Sequence, residues 1–243
     1  MRYKLLALAF ALTLAVPMAA SADQHVTGAL DLGFSNAGQL GVKGDDWSGG
    51  IAALYSYDHF NTQIDGSYDR LEPSVGSGIN LWDMDASFFW RDRKGTLGAT
   101  VAYGSISQIP GSVQVLSYGA FGEWYAAHDL TLRVKGGGFN GGSGIEGWHA
   151  GTSGEFYPLD DLGITIDYSY LNGGGGHIHN IGADVEYLIS HEYPLSIGAG
   201  YQHTGLGNIN AFLIKLRYRF GLEGTLVGID RNGPVSWDGK PPF

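Results

Sequence analysis

Apolar residues recur at every second position along this chain, in short bursts, from Val26 to Phe220. That period belongs to β-strands, whose side chains alternate between two faces. Twelve segments carry it, and each sets an apolar row against a row of small or polar residues. The fourth places Trp82, Met84, Ala86, Phe88 and Trp90 on one face and Asp83, Asp85 and Ser87 on the other. Strands this polar on one side cannot be covered on both, which excludes a parallel α/β sheet. Tight polar turns at 58–59, 91–95, 127–129, 159–162 and 190–194 alternate with Gly-rich connections at 37–46, 72–78, 108–112, 140–147, 172–177 and 206–208. This is the layout of a repeated hairpin in an up-and-down meander.

Alternating strands fit a soluble sandwich or a closed membrane barrel, and the aromatics separate the two. The apolar rows repeatedly begin and end with an aromatic eight residues apart: Trp82 and Trp90, Trp148 and Phe156, Phe212 and Phe220. Eight residues at ~3.3 Å each cover about 26 Å of strand. Tilted by ~40°, that is about 20 Å of height, close to the ~25 Å lipid-facing band of a transmembrane barrel. Trp82, Trp90, Trp124, Trp148, Phe156 and Phe212 are therefore expected to form an aromatic girdle facing outer-membrane lipid. In hydrocarbon every backbone polar group needs an internal partner, which favours a sheet without edges. The expected fold is all-β: a closed antiparallel up-and-down transmembrane β-barrel of about twelve strands, within roughly 10–14.

The flanks fit this reading. In residues 1–22, Arg2 and Lys4 precede an apolar run from Leu5 to Val16, then Pro17 and the small-residue site Ala20-Ser21-Ala22. This is the pattern of a cleaved secretory signal peptide, and twelve apolar residues are too few to span a bilayer as a helix. Lys plus Arg number 14 against 24 for Asp plus Glu, a net charge of -10. With no basic excess, binding of nucleic acid is not expected. The absence of cysteine removes disulfides, iron–sulfur clusters and thiol catalysis from consideration.

The segment from Phe212 to Phe220 alternates Ile214, Leu216 and Tyr218 before its terminal aromatic. It resembles the closing strand of Gram-negative outer-membrane β-barrel proteins, and 23–220 as a whole resembles a small porin-like barrel. The resemblance implies that Ile214, Leu216, Tyr218 and Phe220 are the signal read by the barrel-assembly machinery, and that the protein resides in the outer membrane. One departure stands out: in that family the aromatic is normally the last residue, whereas here 221–243 follow. Pro241-Pro242 cannot join a ladder, so this stretch reads as a tail. It is expected to extend as a floppy periplasmic tail or, in the sharper reading, to fold into the lumen or dock on a periplasmic partner, with Val227, Trp237 and Phe243 as anchors.

The polar faces name the lumen. Asp65, Asp69, Asp83 and Asp85 fall on neighbouring strands, with Glu155 and Asp167 further along. Arg133, Lys135, Lys215, Arg217 and Arg219 are expected to form an opposing basic wall. A narrow pore between walls of opposite sign orients small polar solutes. Catalytic groups are not expected. His149 and Ser153 share a face, but four strand residues separate them by about 13 Å, too far for a base and its nucleophile. The pair Asp45-Asp46 reads as solvated loop charge. His177 and His179 lack a third metal ligand nearby, and 173–176 lack the lysine of a phosphate loop, so no cofactor is predicted. The sequence thus points to a channel for passive diffusion of small polar solutes. The alternatives are a non-conducting interaction barrel that displays its loops and, behind it, an outer-membrane hydrolase of lipid or peptide.

Overall fold

The computed structural model describes residues 26–39, 42–73, 78–108, 111–141, 145–205 and 208–235. The signal segment, Trp237 and Phe243 lie outside them. Twelve strands form: β1 (Val26–Gln39), β2 (Val42–Tyr57), β3 (Phe60–Pro73), β4 (Ile79–Arg91), β5 (Gly95–Gln108) and β6 (Gly111–Ala127), then β7 (Leu130–Gly141), β8 (Ile145–Leu159), β9 (Leu162–Gly173), β10 (Gly176–Ser190), β11 (Leu195–Thr204) and β12 (Ile209–Phe220). Each pairs antiparallel with its neighbours in the sequence, and β1 pairs with β12, from Gly28 opposite Phe220 to Gly38 opposite Asn210. The sheet is therefore a closed barrel with no free edge.

The alternating rows resolve as the period requires. Ile64, Met84, Val134, Ile166 and Ile214 stand exposed, Ile166 at 61%. This apolar exterior is the opposite of a soluble core and matches a barrel whose outside meets lipid. Two aromatic belts edge it. At the loop end Trp82 packs on Tyr103, Trp148 on Tyr170 and Phe212 on Tyr201, at ring separations of 5.7, 5.1 and 5.2 Å. At the turn end Trp90, Trp124 and Phe156 are exposed with Tyr57 and Phe60.

Several strands outrun the sequence reading. β1 and β2 stay in register as far as Gln39 opposite Val42, so Asp45 and Asp46 belong to a ladder and not to a loop. Asn36 Nδ2 donates to Asp45 Oδ1 across it at 2.8 Å. The Gly-rich stretch between β9 and β10 is a two-residue hairpin, with Gly174 and Gly175 at φ 61° and 83°. Backbone pairing needs no apolar alternation, so the ladders continue past the rows that reveal them. Two successive positive φ values favour glycine, which makes 173–176 a defined turn rather than a slack connection.

After Phe220 the chain turns at Gly221 (φ 73°) and forms helix α1 (Leu226–Asn232). Thr225 caps it, its Oγ1 accepting from Gly228 N at 3.3 Å. Seven residues do not hold a helix by themselves. Packing does: Leu226, Val227 and Ile229 are buried against the inward side chains Tyr157 and Leu188. Further on, Val235 packs with Leu54, Phe89 and Phe121.

Candidate functional site

The site is the barrel interior, and it has three levels. The turn end holds the two apolar clusters just described, with α1 and Val235 seated in them. The loop end holds a third apolar cluster of Val115, Phe139 and Leu171, flanked by Val113 and Ile178. Between them lie the charged residues.

On β3 and β4, Asp65 is the direct cross-strand partner of Asp85, and Ser67 of Asp83. Ser67 Oγ donates to Asp83 Oδ2. Gln63 Nε2 donates to both oxygens of Asp65, at 2.9 and 2.8 Å. Asp69 follows on the same face of β3. Like charges set opposite each other across a ladder repel.

Arg133 forms the second group. Its Nε lies 2.7 Å from Glu123 Oε1 and its Nη1 2.7 Å from Glu155 Oε2, with all three side chains buried. The three residues come from consecutive strands β6, β7 and β8. A guanidinium fork meets two carboxylates here, the arrangement that repays the desolvation of all three.

The third group spans β10, β11, β12 and the helix. Glu186 faces Arg219 Nη1 at 2.8 Å, Arg217 Nη1 at 3.6 Å and Lys215 Nζ at 3.9 Å. Lys215 also lies 3.8 Å from Asp184, and Arg217 pairs with Asp31 across the β1–β12 seam. Arg219 Nη2 reaches Asp230 of α1 at 2.7 Å. Ser196 Oγ donates to Glu186.

The expected single basic wall is thus two separate networks, on β6–β8 and on β10–β12, whose cations on β7 and β12 flank β3–β4 at three or four strands' distance while the carboxylates of β10 take the position opposite β4. The cations are held by carboxylates one or two strands away or on α1, because near neighbours in the ring bring inward side chains far closer than the lumen's width does. Room for them comes from glycine. A Cβ at Gly198 would fall 2.7 Å from Lys215 Cε, and one at Gly151 2.9 Å from Lys135 Cε. A Cβ at Gly182 would collide with the carboxylate of Asp167. These charged side chains lie flat across the bare backbone of the next strand.

Alternation alone also places Glu123 and Glu186 inward, and counting the polar faces of β6 and β10 finds them. Asp230 and Arg231 carry no such signal, since a tail has no period. Arg231 nonetheless donates from Nη2 to Ala127 O at 2.8 Å and to Leu130 O at 3.1 Å.

The remaining sites resolve as follows. Trp82, Trp90, Trp124, Trp148, Phe156 and Phe212 are all exposed on the exterior. On β12, Ile214 and Leu216 are exposed and Tyr218 half-buried, whereas Phe220 is 2% exposed. Its ring occupies the space left by the missing side chain of Gly28 at the seam. His177 and His179 sit on β10 and not in a loop, their rings 5.5 Å apart, with Tyr168 Oη 2.7 Å from His179 Nδ1. Among the described residues no group of three or more His, Cys, Asp or Glu is arranged to hold a metal.

A closed twelve-strand barrel with a lipid-compatible exterior and a polar interior is an architecture of outer-membrane β-barrel proteins. No protein-family model matches the chain, and no curated protein matches it in sequence. Among solved structures it is similar to the KdgM porin in complex with disordered oligogalacturonate, with a TM-score of 0.59 at 10% identity over 78% of this chain and 98% of that one. The NanC porin gives 0.60 at 8% identity, over 78% and 98%. The translocator domain of autotransporter NalP from Neisseria meningitidis gives 0.56 at 12% identity, over 87% and 94%. At these identities the likeness is one of fold.

Proposed function

We propose that this protein is an outer-membrane channel of the porin type, through which small polar solutes diffuse passively. The observation that carries the reading is the contrast between the two faces of one closed sheet, aliphatic and aromatic outside and ionised inside. Hydrocarbon accepts the first face, and water or a polar solute the second. On this reading 1–22 is the cleaved export signal, Phe220 with Tyr218, Leu216 and Ile214 is the element read by the assembly machinery of a Gram-negative cell, and 23–220 is the channel body. The turn end, which carries both barrel termini, is the periplasmic end. The porin folds of KdgM and NanC support the reading. Catalysis does not enter it, because the strand spacing of His149 and Ser153 separates a base from its nucleophile.

The tail is the finer part of the proposal. Residues 226–235 fill the periplasmic mouth as a plug that narrows the conducting path. The same observation favours the second reading, a barrel sealed by its own C-terminus that serves interaction and not transport. Planar-bilayer recording decides between them. The channel reading expects small conductance steps from the mature chain that grow when 224–243 are deleted. A folded, inserted barrel without steps in either form overturns it.

A further inference from the structure

We infer that the solutes this interior selects are small cations; the inference rests on the channel reading above. Free passage through a barrel runs where the inward side chains are small. Across β6 to β12 the interior is occupied by the Arg133 and Glu186 networks and by Val115, Phe139 and Leu171. Across β2 to β5 the inward positions between Leu54 and Phe89 at one end and Leu71, Leu81 and Ile106 at the other are short: Ser48, Gly50, Ala52, Thr100, Ala102 and Gly104 beside the aspartates. The open path is therefore eccentric, and it runs along the aspartates of β3 and β4.

The sign of that path follows from its residues. Asp65, Asp69, Asp83 and Asp85 line it, and among the described residues the inward faces of β3, β4 and β5 carry one cation, Arg91, at the plugged end. Arg91 Nη1 is engaged there, donating to Gly233 O at 2.9 Å. The two networks on the far side do not offset the acids. Glu123 and Glu155 share the single Arg133. Asp31, Asp184, Glu186 and Asp230 outnumber Lys215, Arg217 and Arg219. The Arg219 and Arg133 guanidinium groups are each held between two carboxylates in these networks.

A second feature of the same strip points to a polar occupant. Ser87 is fully buried on the inward face of β4, two residues from Asp85 and opposite Gln63, and its Oγ has no hydrogen-bond partner. Buried hydroxyls are normally satisfied, so an unsatisfied one behind paired carboxylates leaves the wall of the strip short of one polar partner. Asp65 and Asp85 face each other across the β3–β4 ladder, which concentrates the acidic groups of the strip at one level. An acidic sugar such as the oligogalacturonate bound by KdgM is the opposite class of solute.

The test is the reversal potential of the full mature chain in a planar bilayer across a KCl gradient. The expected result is a K+ over Cl− permeability ratio severalfold above one. D65N/D85N should bring it close to one, while D45N, on the exposed row of β2, should leave it unchanged. Circular dichroism of each variant in detergent checks that the barrel has formed, and D83N provides a second substitution in the strip should the double variant fail to fold. Steps with a ratio at or below one, or a ratio that neither D65N/D85N nor D83N lowers, overturn the cation reading and leave the channel reading standing. A complete absence of steps, with and without the tail, overturns both.

Discussion

Gln63 and Val235, 172 residues apart, clasp each other: Val235 N donates to Gln63 Oε1 at 2.8 Å, and Gln63 Nε2 donates to Val235 O at 3.0 Å. A side-chain amide thus imitates one rung of a ladder and ties the tail to the wall of the barrel. The clasp is buried, so neither partner can replace the other with water. Gln63→Leu strands both backbone groups of Val235 and should loosen the plug by about 1–3 kcal/mol. The expected outcome is faster proteolysis of the chain beyond Gly221 and larger conductance steps, with the barrel itself intact. A tail as protease-resistant as the parent's would show that the clasp is dispensable.

The assignment of faces is tested by arginine at two neighbouring positions. Ala86 lies midway along the apolar row of β4, and an arginine there should cost roughly 2–4 kcal/mol of folding in lipid. Ala102 faces the lumen as the cross-strand partner of Asp85, and an arginine there meets a carboxylate. Ala102→Arg should cost much less, measured by urea unfolding in phospholipid vesicles. Ser87 is no substitute for it: the sequence marks it as an inward polar site, but it is fully buried and an arginine would be overpacked. Equal costs at 86 and 102 would reverse the faces.

Arg133 keeps two buried carboxylates neutralised. Arg133→Met leaves Glu123 and Glu155 facing each other without a cation, at a cost of about 3–5 kcal/mol. Replacing all three, as R133M/E123Q/E155Q, should recover most of that loss, because no uncompensated charge remains. The same unfolding assay reads both. If the single variant were as stable as the parent, water would have to reach the triad freely.

Gly98 makes room for the floor under Val235. A Cβ there would lie 2.5 Å from Phe89 Cβ and 2.6 Å from Phe121 Cζ, the two rings that pack edge to face at 5.8 Å. Gly98→Ala should displace Phe121 and cost about 1–3 kcal/mol by overpacking. It should also raise conductance through the loosened Val235 seat. Unchanged conductance would separate the floor from the plug.

How far the sequence reaches is set by which forces leave a period behind. Lipid on one side and water on the other impose alternation, so Ile64, Met84 and Ile166 declare their face and the twelve strands follow. Ladder hydrogen bonds impose none, which is why Asp45 and Asp46 read as a loop although they pair with Asn36 and Ser35. Ion pairs depend on register and tilt. Arg133 is readable as an inward charge, but its choice of Glu123 and Glu155 over the aspartates of β3 and β4 is not. The tail holds seven helical residues and one clasp, and its anchor Val227 is legible only as one of a short apolar group with Leu226 and Ile229, too brief to show a period.

The seat of the plug has a consequence for assembly. Its walls come from both sides of the seam where Gly28 meets Phe220: Gln63 and Leu54 belong to the first strands made, Arg219 and Leu188 to the last. The C-terminal strands by themselves can hold α1 through Tyr157, Leu188 and Arg219, whereas Val235 finds Gln63 and Leu54 only when the first strands stand in place. Full lodging of the stopper therefore demands that both ends of the polypeptide's ribbon have come together.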